Sequence, residues 1–299
     1  MRTLQELNVL DDFLFNEMTA RGEEGVEFCK ILLETILDRP LRNVKVQHQR
    51  KVQGRGTSQH GIVIDAYIEV EDEQSPVKPI DAEIGADIYD VEPNSYKEKS
   101  EARRGRYYHA LIDSKILRTG IDYKNMKNVT IILILPYDPF GKDRMVYTIM
   151  NQCKEDSSVE YADGLKTIYL YTKGKAEEGT GQKLRDMLRY IENSTEENAV
   201  NEDLKKFHEM VNEIKQDEEV GIKYMKIWER ESYIRREGQE AGRMLTLVEL
   251  IKKKYLKGKS LDIIAEELEE AAEAIQPIYE VVKKNPEETE EKILELLKK

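Results

Sequence analysis

The stretch that decides the fold runs from Gly61 to Arg118. It reads G-I-V-I-D-A-Y-I-E-V, a polar acidic connection, I-Y-D-V-E-P-N, and then A-R-R-G-R-Y-Y-H-A-L-I-D-S-K-I-L-R. Two apolar runs rich in β-branched residues predict strands, and each carries a carboxylate: Asp65 in the first, Glu92 near the end of the second. A segment dense in arginine and tyrosine follows at helical spacing. Acids on neighbouring strands beside a basic helix suit a divalent metal site next to a phosphate-binding surface.

Upstream, L-D-D-F-L-F-N-E-M predicts a short helix entered through Asp11 or Asp12, and Gly25 to Leu37 predicts a second, closed by Asp38-Arg39-Pro40. Val44–Val52 alternates in part and should form a hairpin with Ile62–Val70. Residues 71–87 hold two prolines and a short I-D-A-E-I-G piece, read as an insertion between core strands. Downstream, Lys97 to Thr119 predicts a helix ended by Gly120. V-T-I-I-L-I-L at 129–135 is the pattern of a strand buried on both faces. R-M-V-Y-T-I-M and K-T-I-Y-L-Y-T complete a mixed α/β sheet. Beyond Gly181 the chain is Glu/Lys-rich with helical periodicity, so an all-helical C-terminal region is expected, with a hinge at Gly238 and Gly242. Met244 to Lys284 reads as a packing or dimerisation module, too acidic for a DNA-reading helix-turn-helix.

Length and composition bound the function classes. The 299 residues are 39% apolar and 35% charged, which excludes global disorder. A net charge of −12 excludes coating nucleic acid by bulk charge but leaves room for a local basic groove. Two distant cysteines, Cys29 and Cys153, offer no disulfide framework or Cys-based zinc site. No run is apolar and long enough to span a membrane, so a cytoplasmic chain without membrane partners is expected.

Asp65 and Glu92 are the candidate metal ligands, because a mid-strand acid is costly unless it meets a cation or donors. Two acids on the polar face of a half-buried sheet would give the same pattern. Asn94 shares a side with Glu92 if the strand continues, and its amide suits positioning water or phosphate. Pro-Asn is equally ordinary turn chemistry. The helix candidate Lys97–Arg118 carries seven basic against three acidic side chains. Arg104, Tyr108, Leu111 and Ile112 fall on one of its faces, which suits phosphate binding or a structural ion pair to Asp65 or Glu92. The four histidines show no ligand spacing, and Trp228 reads as a helix-packing anchor.

With these segments in this order, the chain resembles the PD-(D/E)XK nuclease superfamily, in particular its recombination-promoting nuclease or transposase-like branch. The likeness covers roughly residues 8–200. It rests on D-D-F-L-F, I-V-I-D-A-Y, Y-D-V-E-P-N, R-R-G-R-Y-Y-H-A-L-I-D and P-Y-D-P-F-G-K. It implies a restriction-endonuclease-like mixed sheet in a domain of residues 1–195; the helical periodicity beyond it gives a helical connection at 196–237 and a small helical module at 238–299. The resemblance further implies a Mg²⁺- or Mn²⁺-dependent DNA endonuclease linked to recombination, mobile elements or defence. Asp65 and Glu92 would be catalytic and metal-binding, and Asn94 would stand where the superfamily has Lys and this branch often has Gln. Arg104, Arg106 and Tyr108 would bind DNA phosphate, with Asp12 as an accessory acid. Asp81 and Glu83 offer a rival register for the second acid. A homodimer through the C-terminal helices is the expected association. Because Asn94 departs from the pattern, the alternative is a catalytically degenerate DNA-binding or protein-interaction protein with the same fold.

Overall fold

The structure, a computed structural model, describes residues 2–52, 62–71, 86–97, 100–117 and 122–297. The chain divides into two compact units, 1–221 and 222–299.

The first unit is built on a six-stranded mixed sheet in the order β1-β2-β3-β4-β6-β5. β1 (Val44–Val52), β2 (Ile62–Glu71) and β3 (Ala86–Pro93) form an antiparallel meander. β4 (Val129–Leu135) then runs parallel to β3, after a crossover through helix α3 (Glu101–Ile116). β6 (Leu165–Tyr171) continues the parallel set, and the short β5 (Val146–Ile149) closes the edge antiparallel to it. Every residue of β4 is buried, as its unbroken apolar run requires for a strand covered on both faces. This is an α/β domain.

Helices α1 (Asp12–Thr19), α2 (Glu23–Leu37), α4 (Gln182–Glu192) and α5 (Glu202–Gln216) pack together in the same unit. Phe28 of α2 stacks edge-on against Phe15 of α1 and Phe207 of α5, with ring centroids 5.6 and 4.7 Å apart. α5 therefore belongs to this body, and the division falls at 221 rather than at 195 and 237. The α1–α2 corner depends on Gly25, where an added Cβ would lie 2.5 Å from the Thr19 carbonyl oxygen.

α3 is shorter than the sequence suggests. It opens at Glu101, whose carboxylate accepts a 2.6 Å hydrogen bond from the Tyr137 hydroxyl. Its described turns carry four basic and two acidic side chains. Lys97 precedes the helix, while Lys99 and Arg118 fall outside the described residues, as do the 72–85 insertion and with it Asp81 and Glu83. The face running through Tyr108, Leu111 and Ile112 packs on Tyr67, Ile88 and Val129, as its spacing indicates. The P-Y-D-P-F-G-K loop is a structural turn. Desolvation raises the Asp138 carboxyl, but hydrogen bonds from the Asp143 N–H, the Tyr147 hydroxyl at 2.7 Å and the Phe140 N–H at 2.9 Å outweigh it and hold it down at about 2.

In the second unit, α6 (Glu218–Tyr255, reaching in from the first), α7 (Leu261–Leu268), α8 (Ala272–Lys284) and α9 (Glu290–Leu297) surround a core that includes Val248, Ile251, Ile264, Ile275 and Ile293. The expected hinge at Gly238 and Gly242 is absent: both lie inside the continuous helix α6. One glycine costs a helix about 1 kcal/mol, and strong helix formers around it carry the helix through. Trp228, expected to anchor packing, is instead 36% exposed on α6. Among the described residues no helix is long and apolar enough to cross a membrane.

Candidate active site at the parting of two strands

β2 and β3 separate at the candidate acids. Their ladder runs to Ala66↔Val91. At the next position the Asp65 N–H donates to the Glu92 side chain, Oε1, at 3.1 Å. On the other flank, Gln49 of β1, which lies opposite Asp65 in the register, drops out of the β1–β2 ladder and has φ +46°. A left-handed glutamine costs of order 1 kcal/mol or more and persists only where its surroundings impose it. The sheet is thus irregular on both sides of Asp65.

Three carboxylates gather here. The D-V-E alternation places Asp90 and Glu92 on one face of β3, under α3. Glu92 is 2% exposed, and its Oε2 accepts a 3.0 Å hydrogen bond from Arg104 of α3. Arg104 also donates to the Tyr108 hydroxyl at 3.2 Å and lies 5.2 Å from that ring's centroid. Asp90 is fully buried, and neither of its oxygens has a hydrogen-bond partner. Asp65 is half-buried, and its Oδ1 accepts from Asn16 of α1 at 3.3 Å.

Burial is the largest cause of the titration behaviour, and mutual repulsion adds to it. Asp90 is pushed up to about 8 by desolvation and by the charge of Asp65, against the opposing pull of Arg104 and of its contact with the Glu92 carboxyl. Asp65 rises to about 6, again by desolvation, with Asp12 adding to the rise and Asn16 and Arg104 opposing it. Glu92 goes well up for want of water and because Asp90 and Asp65 are close. Among the described residues one guanidinium, that of Arg104, faces this acidic cluster.

The structure brings Asp65, Glu92, Arg104 and Tyr108 together, with exposed Asp12 near enough to act on Asp65. Arg104 meets Glu92 directly, as the structural-pair reading of the sequence anticipates. Asn94 is buried at the end of β3. Its Oδ1 caps the turn by accepting from the Tyr96 N–H at 3.0 Å, while its Nδ2 has no partner. The turn reading of Pro-Asn is therefore realised, with an amide group still uncommitted. Arg106 does not join this cluster. It is exposed and lines a cavity of about 470 Å³ with His109, Phe140, Asn151 and Thr167.

Two residues of the cluster have no role in the sequence reading. Asp90 was legible from its place two residues before Glu92. Asn16 was legible only as the residue one turn after Asp12 on the same helix face.

The donor set fits a hard divalent cation in kind, since such ions prefer carboxylate oxygens. Asp90 offers both oxygens and Asp65 offers Oδ2, whereas both Glu92 oxygens are engaged. Among the described residues no group of three His, Cys, Asp or Glu side chains is arranged to hold a metal. The class defined by fold and site is thus an α/β domain with a buried, under-neutralised acidic cluster beneath an arginine-bearing helix. Comparison with family models, curated proteins and solved structures returned no match.

Proposed function

We propose that the first unit is a divalent-metal-dependent DNA endonuclease with a restriction-endonuclease-like core. The observation that carries this reading is Asp90: a fully buried carboxyl with two unpartnered oxygens, packed beside two further acids. Desolvating unpaired carboxylates costs several kcal/mol. A bound cation would turn that cost into affinity.

Asp65 and Asp90 would hold Mg²⁺ or Mn²⁺, and Glu92 would join them by giving up one of its present hydrogen bonds. The ion would polarise the scissile phosphate and lower the pKa of a bound water. Arg104 holds Glu92 in place and offers a guanidinium to phosphate charge. Tyr108 fixes that guanidinium through its hydroxyl and ring. The Asn94 Nδ2 is a neutral donor, suited to orienting a water but unable to take its proton. Asp12 and Asn16 border the site from α1, and Arg106 would contact phosphate along the helix. A role in recombination, mobile elements or defence follows only from the resemblance.

A second reading has its own support. Both Glu92 oxygens are committed to Arg104 and to the Asp65 N–H, which suits a nucleic-acid-binding or protein-interaction domain that has lost catalysis. Nicking of supercoiled plasmid with and without Mg²⁺ separates the two. The nuclease reading expects metal-dependent nicking that Asp65→Ala and Glu92→Ala each abolish while both variants stay folded. Folded wild-type protein that binds DNA but nicks it at no Mg²⁺ or Mn²⁺ concentration would establish the second reading.

A further inference from the structure

Within the second unit, α6 leaves an apolar seam uncovered. Ile227 is 40% exposed and Ile234 57%, and Gly238 and Ala241 follow on the same stripe in solvent. Together with Tyr224 and Glu231 they recur at alternating steps of three and four, the spacing of a helix that pairs with another helix. A solvated helix of this length gains little from propensity alone and needs a packed face. Further along α6 the stripe reaches Val248, which is fully buried in the unit's own core. Between 227 and 241 the stripe lies in solvent.

We infer that this seam binds the same seam of a second copy, antiparallel, about a two-fold axis between Ser232 and Tyr233. The pattern is self-complementary in that direction. Setting residues opposite one another about that axis places Ile227 against Gly238 and Ile234 against the stem of Glu231, each twice by symmetry. Large side chains meet small ones, which lets the backbones approach closely. On the flanks, Arg230 faces Glu237 and Arg235 faces Trp228, an ion pair and a cation–π pair. Among the described residues, Arg230, Arg235, Glu231 and Trp228 make no ion pair, hydrogen bond or ring contact within the chain.

The parallel arrangement is excluded by the same residues. It would set Glu231 against Glu231, Gly238 against Gly238 and Arg230 against Arg235: two acids, a void and two cations. Specific pairing needs such penalties against the wrong partner as well as contacts with the right one. If the endonuclease reading holds, the two-fold axis supplies one active site for each antiparallel strand of a duplex. The pairing itself does not rest on that reading.

The test uses the full chain in EDTA, without substrate, so failure of cleavage cannot be confused with failure of pairing. Sedimentation velocity over a concentration series should give a dimer that Ile234→Glu dissociates, raising Kd by about 100-fold or more. Circular dichroism and thermal melting of the variant check that the C-terminal unit remains folded. Orientation is read by cysteine crosslinking in a Cys29→Ala, Cys153→Ser background. A mixture of Glu231→Cys and Ile234→Cys chains should form a disulfide-linked heterodimer, while Ile234→Cys alone should not crosslink to itself efficiently. Efficient self-crosslinking of Ile234→Cys would overturn the antiparallel assignment. A monomer at every concentration, or a dimer indifferent to Ile234→Glu, would overturn the interface.

Discussion

Replacing Asp90 with Asn should stabilise the first unit, and the gain should depend on pH. Asp90 is fully buried with the Glu92 carboxyl as its neighbour and no donor satisfying its oxygens, and its carboxyl is raised from 3.8 to about 8. An acid whose folded pKa lies above its unfolded one binds its proton more tightly when folded. Wild-type stability from this group is therefore full below about pH 4 and falls as pH rises toward 8. Between 3.8 and pH 7 there are roughly three units at 1.36 kcal/mol each, so the cost at neutral pH is at most about 4 kcal/mol. Asp65 and Glu92 share that repulsion, and the new amide pays roughly 1–3 kcal/mol if it finds no partner. A net gain of about 2 kcal/mol is expected, which raises Tm by roughly 4–8 °C in a domain of this size. The assay is thermal unfolding of both proteins in EDTA at pH 4 and pH 8. The advantage should be present at pH 8 and nearly gone at pH 4. An equal advantage at both pH values, or a lower Tm for the variant at pH 8, would refute the account of Asp90 as a buried, repelled carboxylate.

The other predictions follow from the same geometry. Arg104→Gln leaves Glu92 buried without its cation. It should cost about 3 kcal/mol or more at pH 8 if the pair breaks cleanly, measured by urea unfolding; an unchanged midpoint would show the pair to be unimportant. Arg106→Gln, exposed and away from the acids, should leave Tm unchanged. If Arg106 meets a phosphate, the slope of log K against log[salt] for duplex DNA should become shallower by about 0.9, and an unchanged slope would remove it from the interface. Asn94→Lys supplies a cation but loses the Tyr96 cap. It should lower Tm slightly while raising Mg²⁺-dependent nicking by about one to two orders of magnitude if ammonium reaches the reacting phosphate. Equal single-turnover rates for wild type and Asn94→Ala would show that the amide has no part in the chemistry. Phe207→Ala should destabilise the first unit by about 3–5 kcal/mol, because α5 is wedged against Phe28; a change below about 1 kcal/mol would mean α5 is dispensable.

The sequence by itself determined the elements of this protein. Alternation fixed β1 and β2, the unbroken apolar run fixed the doubly covered β4, and helical spacing fixed the packed face of α3. These patterns repeat within a few residues, so local periodicity specifies them. It also pointed to Asp65, Glu92 and Arg104, because charge in a strand and arginine on an apolar stripe are visible without a partner. Element bounds followed less well: α3 starts at Glu101 because Tyr137, 36 residues on, meets it there. Only the tertiary structure decided which groups converge. The parting of β2 from β3, the left-handed Gln49 opposite Asp65, the reach of Asn16 from α1 and the isolation of Asp90 depend on elements far apart in the chain. Gly238 and Gly242 mark the same limit. A glycine's local cost suggests a break, but helix propagation on both sides outweighs it, and the sequence around them reads as pairing surface only once α6 is seen to be continuous.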